Sequence, residues 1–290
     1  MKLLISGANG QLGLALARRL RGEHEVVALG RDSFDLVDAS ACREALKREQ
    51  PDVILNCAAY TVVDRAESES ELAYAINAEG PAHIAQTCSD LGIFLVHFST
   101  DYVFDGLATQ AYLETDATAP TSVYGRSKRV GETRIAELLP EHLILRLSWV
   151  YSNDGANFYK TMLRLAQDRP ILRVVADQSG VPNYTADLAE AVVCALNRPL
   201  AELRRASGLY HLSSHGQTTW FDFTRAIIEE AGLTDRVAVQ PISTSEYPTA
   251  AKRPPFSVLD TSRFAATFGW TAPHWREGLQ RCVAARSILA

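Results

Sequence analysis

The chain has 290 residues, 47% hydrophobic and 22% charged, with a formal net charge of −5. That make-up suits a soluble globular protein and argues against a nucleic-acid partner, which needs a basic surface to neutralise phosphates; no apolar run approaches the ~20 residues that span a bilayer. The length exceeds one dinucleotide-binding unit and sits near the size at which a single core stops growing, so a main domain, a smaller satellite and one cleft between them are expected.

The first apolar run, Met1 to Ser6, is too short for a secretory signal and is followed at once by glycines, so it reads as a buried strand. Short runs rich in Val, Ile and Leu then alternate with longer segments of helical spacing, the mark of βαβ units. Strands are predicted at 2–6, 25–29, 53–56, 94–99 and 143–147, and helices at 11–20, 39–49, 70–91 and 122–138. Strands that are apolar throughout imply a parallel sheet covered on both faces.

After about Asn153 the rhythm loosens, with strands at 171–175 and 208–212 and a helix at 221–231. The expected fold class is α/β: a Rossmann-type doubly wound sheet, mainly 1–152, with a smaller C-terminal substrate-binding lobe, mainly 153–290, the segments interleaving. Pro241, Pro248, Pro254, Pro255 and Pro273 suggest long ordered loops near the end rather than a regular layer. Five scattered cysteines without a CxxC pair point to a reducing, cytoplasmic setting.

Directly after the first strand comes Gly7-Ala8-Asn9-Gly10-Gln11-Leu12-Gly13, which opens the first helix. Glycines at this spacing allow a tight turn, close approach of backbone to a pyrophosphate, and close packing of helix on strand. The helix N-terminus then offers free N–H groups to the anion. After the second strand, Gly30-Arg31-Asp32 carries both an arginine suited to the 2′-phosphate of NADPH and an acid suited to the ribose of NADH. Arg31 tilts the reading toward NADPH, with NADH the alternative. Asp38 could reach the adenine edge or cap the helix beginning beside it.

Ser122-Val123-Tyr124-Gly125-Arg126-Ser127-Lys128 places a tyrosine and a lysine four apart on one helix face. Ketone reduction needs a proton on oxygen as hydride reaches carbon, and a phenol can donate it. A free phenol titrates near pH ~10, and the Lys128 ammonium is expected to bring Tyr124 toward the working range and to hold the nicotinamide ribose. Thr100, at the C-terminal end of the fourth strand, could hydrogen-bond the substrate carbonyl and orient Tyr124.

These motifs resemble the extended short-chain dehydrogenase/reductase superfamily over nearly the whole chain, and within it the dTDP-4-dehydrorhamnose reductase family. Further shared motifs are Asn56-Cys57-Ala58-Ala59-Tyr60-Thr61-Val62-Val63-Asp64, Ser99-Thr100-Asp101-Tyr102-Val103-Phe104-Asp105-Gly106, Arg146-Leu147-Ser148-Trp149-Val150-Tyr151 and Arg253-Pro254-Pro255-Phe256-Ser257-Val258-Leu259-Asp260. The resemblance implies NAD(P)H-dependent reduction of the 4-keto group of a nucleotide-diphosphate deoxysugar, dTDP-4-dehydro-L-rhamnose, to dTDP-L-rhamnose. It implies Thr100, Tyr124 and Lys128 as the catalytic set and Ala58, Ala59 and Thr61 along the cofactor. Val62, Asp101, Tyr102 and Trp149 would surround the sugar, and Lys252 and Arg253 would meet its diphosphate.

Two departures bear on what carries over. Some relatives dimerise through a magnesium ion held by acids, but the first-helix position is Ala15, only Glu190 matches a later acid, and Ile288-Leu289-Ala290 contributes none. No metal is therefore expected, and the chain should be a monomer or weak homodimer. Asn183 replaces a usual threonine, which bears on substrate fit. Two rivals remain: a nucleotide-sugar epimerase or dehydratase that keeps NAD bound, and a non-catalytic regulatory subunit similar to the β-subunit of methionine adenosyltransferase.

Overall fold

The computed structural model describes residues 1–289, with side chains through residue 286. The Ile288-Leu289-Ala290 end invoked against a C-terminal acid therefore lies outside the described side chains. Six parallel strands form the main sheet in the order Gly208–His211, His142–Leu147, Phe94–Thr100, Val53–Asn56, Lys2–Ser6, Glu25–Leu29. The period of two along each strand divides the core. Leu3, Ile5, Val53, Leu55, Phe94 and Val96 pack with Leu16, Leu20 and Val192 on one face, and Leu4, Ile54, Leu95 and Ile144 with Leu46, Ile84 and Ile135 on the other. Strand order reverses at Lys2–Ser6, which opens a crevice at the C-terminal strand ends.

Helix Gln11–Leu20 lies against Thr185–Leu196 on the first face, and Ala39–Glu49, Gly80–Leu91 and Val123–Leu138 cover the second. The single helix predicted over 70–91 is broken. Ser70–Tyr74 leads into a π-helical segment, Ala75–Glu79, before Gly80–Leu91 begins with Pro81 in its first turn. Within the wide turn, Asn77 turns inward to the Tyr60 backbone and the Ser127 hydroxyl.

The smaller lobe has its own core, in which Tyr151, Tyr159, Phe223, Ile227, Trp275 and Leu279 meet. Its helices Phe158–Asp168 and Trp220–Glu230 flank a two-stranded parallel pair, Ile171–Val175 with Ala238–Ile242. The expectation of loops over the last fifty residues is corrected here. Pro241 sits inside a strand, tolerated because that strand is an edge, and helices Ser262–Phe268 and Trp275–Leu289 follow. Pro273 precedes the last helix by two residues and breaks nothing. The chain crosses back and forth: Thr185–Leu196 and Gly208–His211 rejoin the main domain after the lobe has begun. Among the described residues no helix is long and apolar enough to cross a membrane.

Candidate active site

The glycine turn is forced by its neighbours. Gly7 has φ +65°, and a Cβ there would stand 2.6 Å from the Ala58 backbone nitrogen. The turn closes through Gly10 N–H donating to the Gly7 carbonyl at 2.9 Å, and Gly10 caps helix Gln11–Leu20 without a side-chain hydrogen bond. An uncapped helix start beside a crowded glycine turn fits an anionic dinucleotide, because the free amides and the positive helix end face outward together.

The structure sorts the other residues predicted for this turn. Asn9 is exposed and lies over Gly30. The Gln11 side chain is engaged elsewhere: its Oε1 accepts from Ser152 Oγ at 3.0 Å and Asn157 Nδ2 at 2.8 Å, tying the turn to the lobe. The Leu12 side chain is buried in the core, so its backbone alone faces the turn. Arg31 is exposed and held loosely by Asp35 at 3.3 Å. Asp38 caps Ala39–Glu49, Oδ1 accepting from Ala41 N–H at 2.9 Å. Ala58 and Ala59 are half-buried, and Thr61 is exposed.

Strand Phe94–Thr100 ends in Thr100, whose hydroxyl oxygen accepts from Tyr102 N–H at 3.2 Å while the hydroxyl donates to Asp101 Oδ1 at 3.1 Å. Helix Val123–Leu138 starts beside it, capped by Ser122 accepting from Gly125 N–H and by Glu67 accepting from Val123 N–H. Tyr124 thereby lies in the first helical turn, its ring edge-on to Tyr102 with centroids 5.8 Å apart. Burial pushes its phenol up from the ordinary value; a hydrogen bond from Thr100 opposes this, and Asp101 adds to it.

The expectation that Lys128 brings this phenol down is therefore corrected. The Lys128 ammonium points inward, donating to the Phe98 carbonyl at 2.7 Å and lying 3.2 Å from His97 Nε2. Burial lowers Lys128 to about 8, against the opposing pull of Glu132. His97 is a residue that the sequence reading missed; a lone histidine in the apolar run Phe94 to Phe98 was its signal.

Asp101 is buried, its Oδ2 has no hydrogen-bond partner, and burial raises it to about 7, with the Ser257 and Thr100 hydroxyls acting the other way. Arg253 Nη2 donates to Asp64 Oδ2 at 2.7 Å, and Nη1 reaches the Tyr102 hydroxyl at 3.4 Å. Thus Tyr124, Tyr102, Arg253 and Asp64 form one connected line. Lys252 and Val62 are exposed.

Trp149 is not a core aromatic. Partly exposed and held at φ +40°, it stacks on Trp220 with centroids 3.5 Å apart and lies against Gly180. Asn183 sets that strained corner: fully buried, it donates from Nδ2 to the Ser148 carbonyl at 2.7 Å, and its backbone N–H donates to the Trp149 carbonyl at 3.0 Å. Glu190 accepts from Arg19 Nε at 2.6 Å, so its carboxylate is already paired.

A bare helix end aimed past a glycine turn is built for a dinucleotide, and a half-buried phenol at the same edge of a parallel sheet is built to keep a proton for a substrate. A fold with both defines an oxidoreductase of the short-chain dehydrogenase/reductase class. More narrowly, the model of the RmlD substrate binding domain matches residues 1–288, and the chain belongs to that family.

A dTDP-4-dehydrorhamnose reductase from Sinorhizobium fredii is 44% identical over 98% of this chain and 97% of its own. Among solved structures, the dTDP-4-dehydrorhamnose reductase of Clostridium acetobutylicum superposes with a TM-score of 0.93 at 37% identity, covering 99% of this chain and all of its own. That of Bacillus anthracis, in complex with NADP, gives 0.92 at 38% identity over 98% of this chain and 99% of its own.

Proposed function

We propose that this chain reduces the 4-keto group of dTDP-4-dehydro-L-rhamnose to dTDP-L-rhamnose, with NADPH as donor and NADH the alternative. The observation that carries the reading is a half-buried, protonated Tyr124 beside the Thr100 hydroxyl, at the sheet edge that also holds the glycine turn, in a chain of this family.

The backbone of Gly7, Asn9, Gly10, Gln11, Leu12 and Gly13 would hold the pyrophosphate, and the exposed Arg31 would meet the 2′-phosphate. Ala58, Ala59 and Thr61 line the nicotinamide half, with Asp38 near the adenine. When bound, NADPH supplies the hydride to the sugar carbon. Tyr124 donates its proton to the carbonyl oxygen, and the Thr100 hydroxyl, turning from Asp101 to the substrate, donates a hydrogen bond to the same oxygen. An acid for reduction must be protonated beforehand, and burial extends the range over which Tyr124 is so toward higher pH. Lys128 holds the ribose.

Val62, Asp101, Tyr102 and Trp149 enclose the sugar, and Lys252 and Arg253 hold the diphosphate. Arg253 fits that task because its guanidinium already lies against an oxyanion, the Asp64 carboxylate, which a diphosphate can replace. The cysteines are free among the described residues, in line with a cytoplasmic protein, which we take to be a monomer or weak homodimer. The test is conversion of dTDP-4-dehydro-L-rhamnose by the purified protein with NADPH and, separately, NADH, followed by product analysis. A protein purified with tightly held NAD and inert toward this sugar would instead be an epimerase or dehydratase.

A further inference from the structure

Lys128 is 2% exposed, and an ammonium taken out of water needs acceptors. Its charged neighbours are few. Glu132, one turn along the same helix, gives both carboxylate oxygens to Arg146, at 2.8 and 2.7 Å. Burial pushes the Cys57 thiol up, so it carries no charge to share. The acceptors that remain lie on strand Phe94–Thr100: the Phe98 carbonyl and the His97 ring.

His97 is fully buried, on the sheet face opposite Phe98 and beneath helix Val123–Leu138. Its Nδ1 lies 3.0 Å from the Asn56 amide, and the far side of that amide is 2.7 Å from Ser6 Oγ. Burial, Lys128 and His142 all hold the imidazole neutral. A neutral ring has one N–H, and an ammonium only donates. A charged Lys128 thus requires a bare Nε2 and a proton on Nδ1, with the Asn56 oxygen toward His97 and its NH2 toward Ser6. The structure draws the reverse amide orientation, Nδ2 toward His97 Nδ1 and Oδ1 accepting from Ser6 Oγ, which belongs to an uncharged Lys128; the two orientations of the amide fill the same space, and a charged Lys128 selects the first.

We propose that His97 is the positioning residue of Lys128: its Nε2 accepts one ammonium N–H while the Phe98 carbonyl accepts another, so that the third is aimed at the cofactor ribose. The assignment of that third N–H rests on the reductase reading. The His97–Lys128 coupling itself does not.

Removing the acceptor destabilises the ammonium, so Lys128 must titrate lower without it. His97→Asn keeps a polar group at the Nδ1 position but not at Nε2, whereas His97→Gln reaches the Nε2 position with its amide oxygen. The chain has five lysines, Lys2, Lys47, Lys128, Lys160 and Lys252, few enough to follow individually by carbon-13 lysine NMR, with Lys128→Met assigning the signal. The wild-type protein should show Lys128 titrating near about 8. H97N should lower it by about one pH unit, and H97Q should leave it within a few tenths. Should H97N fail to fold, nitrogen-15 spectra of wild-type His97 at pH about 6 decide, the Nδ1–H tautomer being required.

An unmoved Lys128 in H97N, or an Nε2–H tautomer in the wild type, overturns the proposal. None of these readouts needs the sugar, so they stand even if the chain reduces a different ketone. With a working assay, the alkaline limb of kcat should follow Lys128 downward in H97N while KM for the sugar holds; a limb that stays in place contradicts the positioning role.

Discussion

Gly125 presses helix Val123–Leu138 onto the turn that follows Thr100 so closely that a Cβ on it would stand 2.2 Å from the Tyr102 carbonyl oxygen. This approach sets the place of Tyr124, the preceding residue. It also explains how Thr100, Tyr102 and Tyr124 meet although they come from separate elements.

Gly125→Ala should accordingly push the helix start away from the strand end. Overpacking of this kind costs about 1–3 kcal/mol, visible as a lower Tm. Because Tyr124 moves with it, kcat should fall about 100-fold, as expected for a displacement near 1 Å. A variant with wild-type kcat would show that the contact does not position the acid.

The pH dependence of reduction should be set by Lys128. Its folded pKa is depressed to about 8, so the ammonium is present below that value and lost as pH rises through it. Tyr124 is shifted upward and stays protonated across the same range. Stopped-flow reduction rates should decline above pH about 8, and no alkaline limb should remain in Lys128→Met, whose rate should be low throughout.

Asp101 carries a folded pKa raised to about 7 by burial, with one oxygen unpartnered. A raised acid binds its proton more tightly when folded, so its contribution is complete below the unfolded value and is lost as pH rises through about 7. Relative to the wild type, Asp101→Asn should gain unfolding free energy between about pH 4 and pH 8, by several kcal/mol since one pKa unit is worth about 1.4 kcal/mol. A difference between the two proteins that is flat with pH would contradict a buried, titrating carboxyl.

Arg253→Ala should separate binding from chemistry. Losing a charge-assisted hydrogen bond to the diphosphate, worth about 1.5–3 kcal/mol, should raise KM for the sugar about 10- to 100-fold with kcat changed far less. KM for NADPH should not change. An equal loss in kcat would instead place Arg253 with the reacting atoms.

Much of this architecture was legible because its signals are local. Apolar runs placed the first three strands, and the glycine spacing marked the dinucleotide turn before any contact was known. What escaped depends on partners distant in sequence. The helix over 70–91 breaks because Asn77 must reach both Tyr60 and Ser127, which no periodicity records. Proline density hid helix Trp275–Leu289, which starts beyond Pro273 and packs on Phe223 and Tyr151. The Tyr124–Lys128 spacing suggested that the lysine tunes the phenol, yet the ammonium is drawn inward by Phe98 and His97 on another element. Asn183 read as a departure at the substrate and proves to be a buried anchor for Trp149.

Protonation of a 4-keto sugar by Tyr124 in an NADPH-dependent reduction can be checked by following NADPH absorbance with dTDP-4-dehydro-L-rhamnose, wild type beside Tyr124→Phe. The wild type should consume NADPH only when the sugar is present and yield dTDP-L-rhamnose, while the variant binds NADPH normally and turns over at least 100-fold more slowly, about the contribution of one positioned acid. Comparable rates in the two proteins, or a wild type that binds NADPH and leaves the sugar untouched, would contradict it.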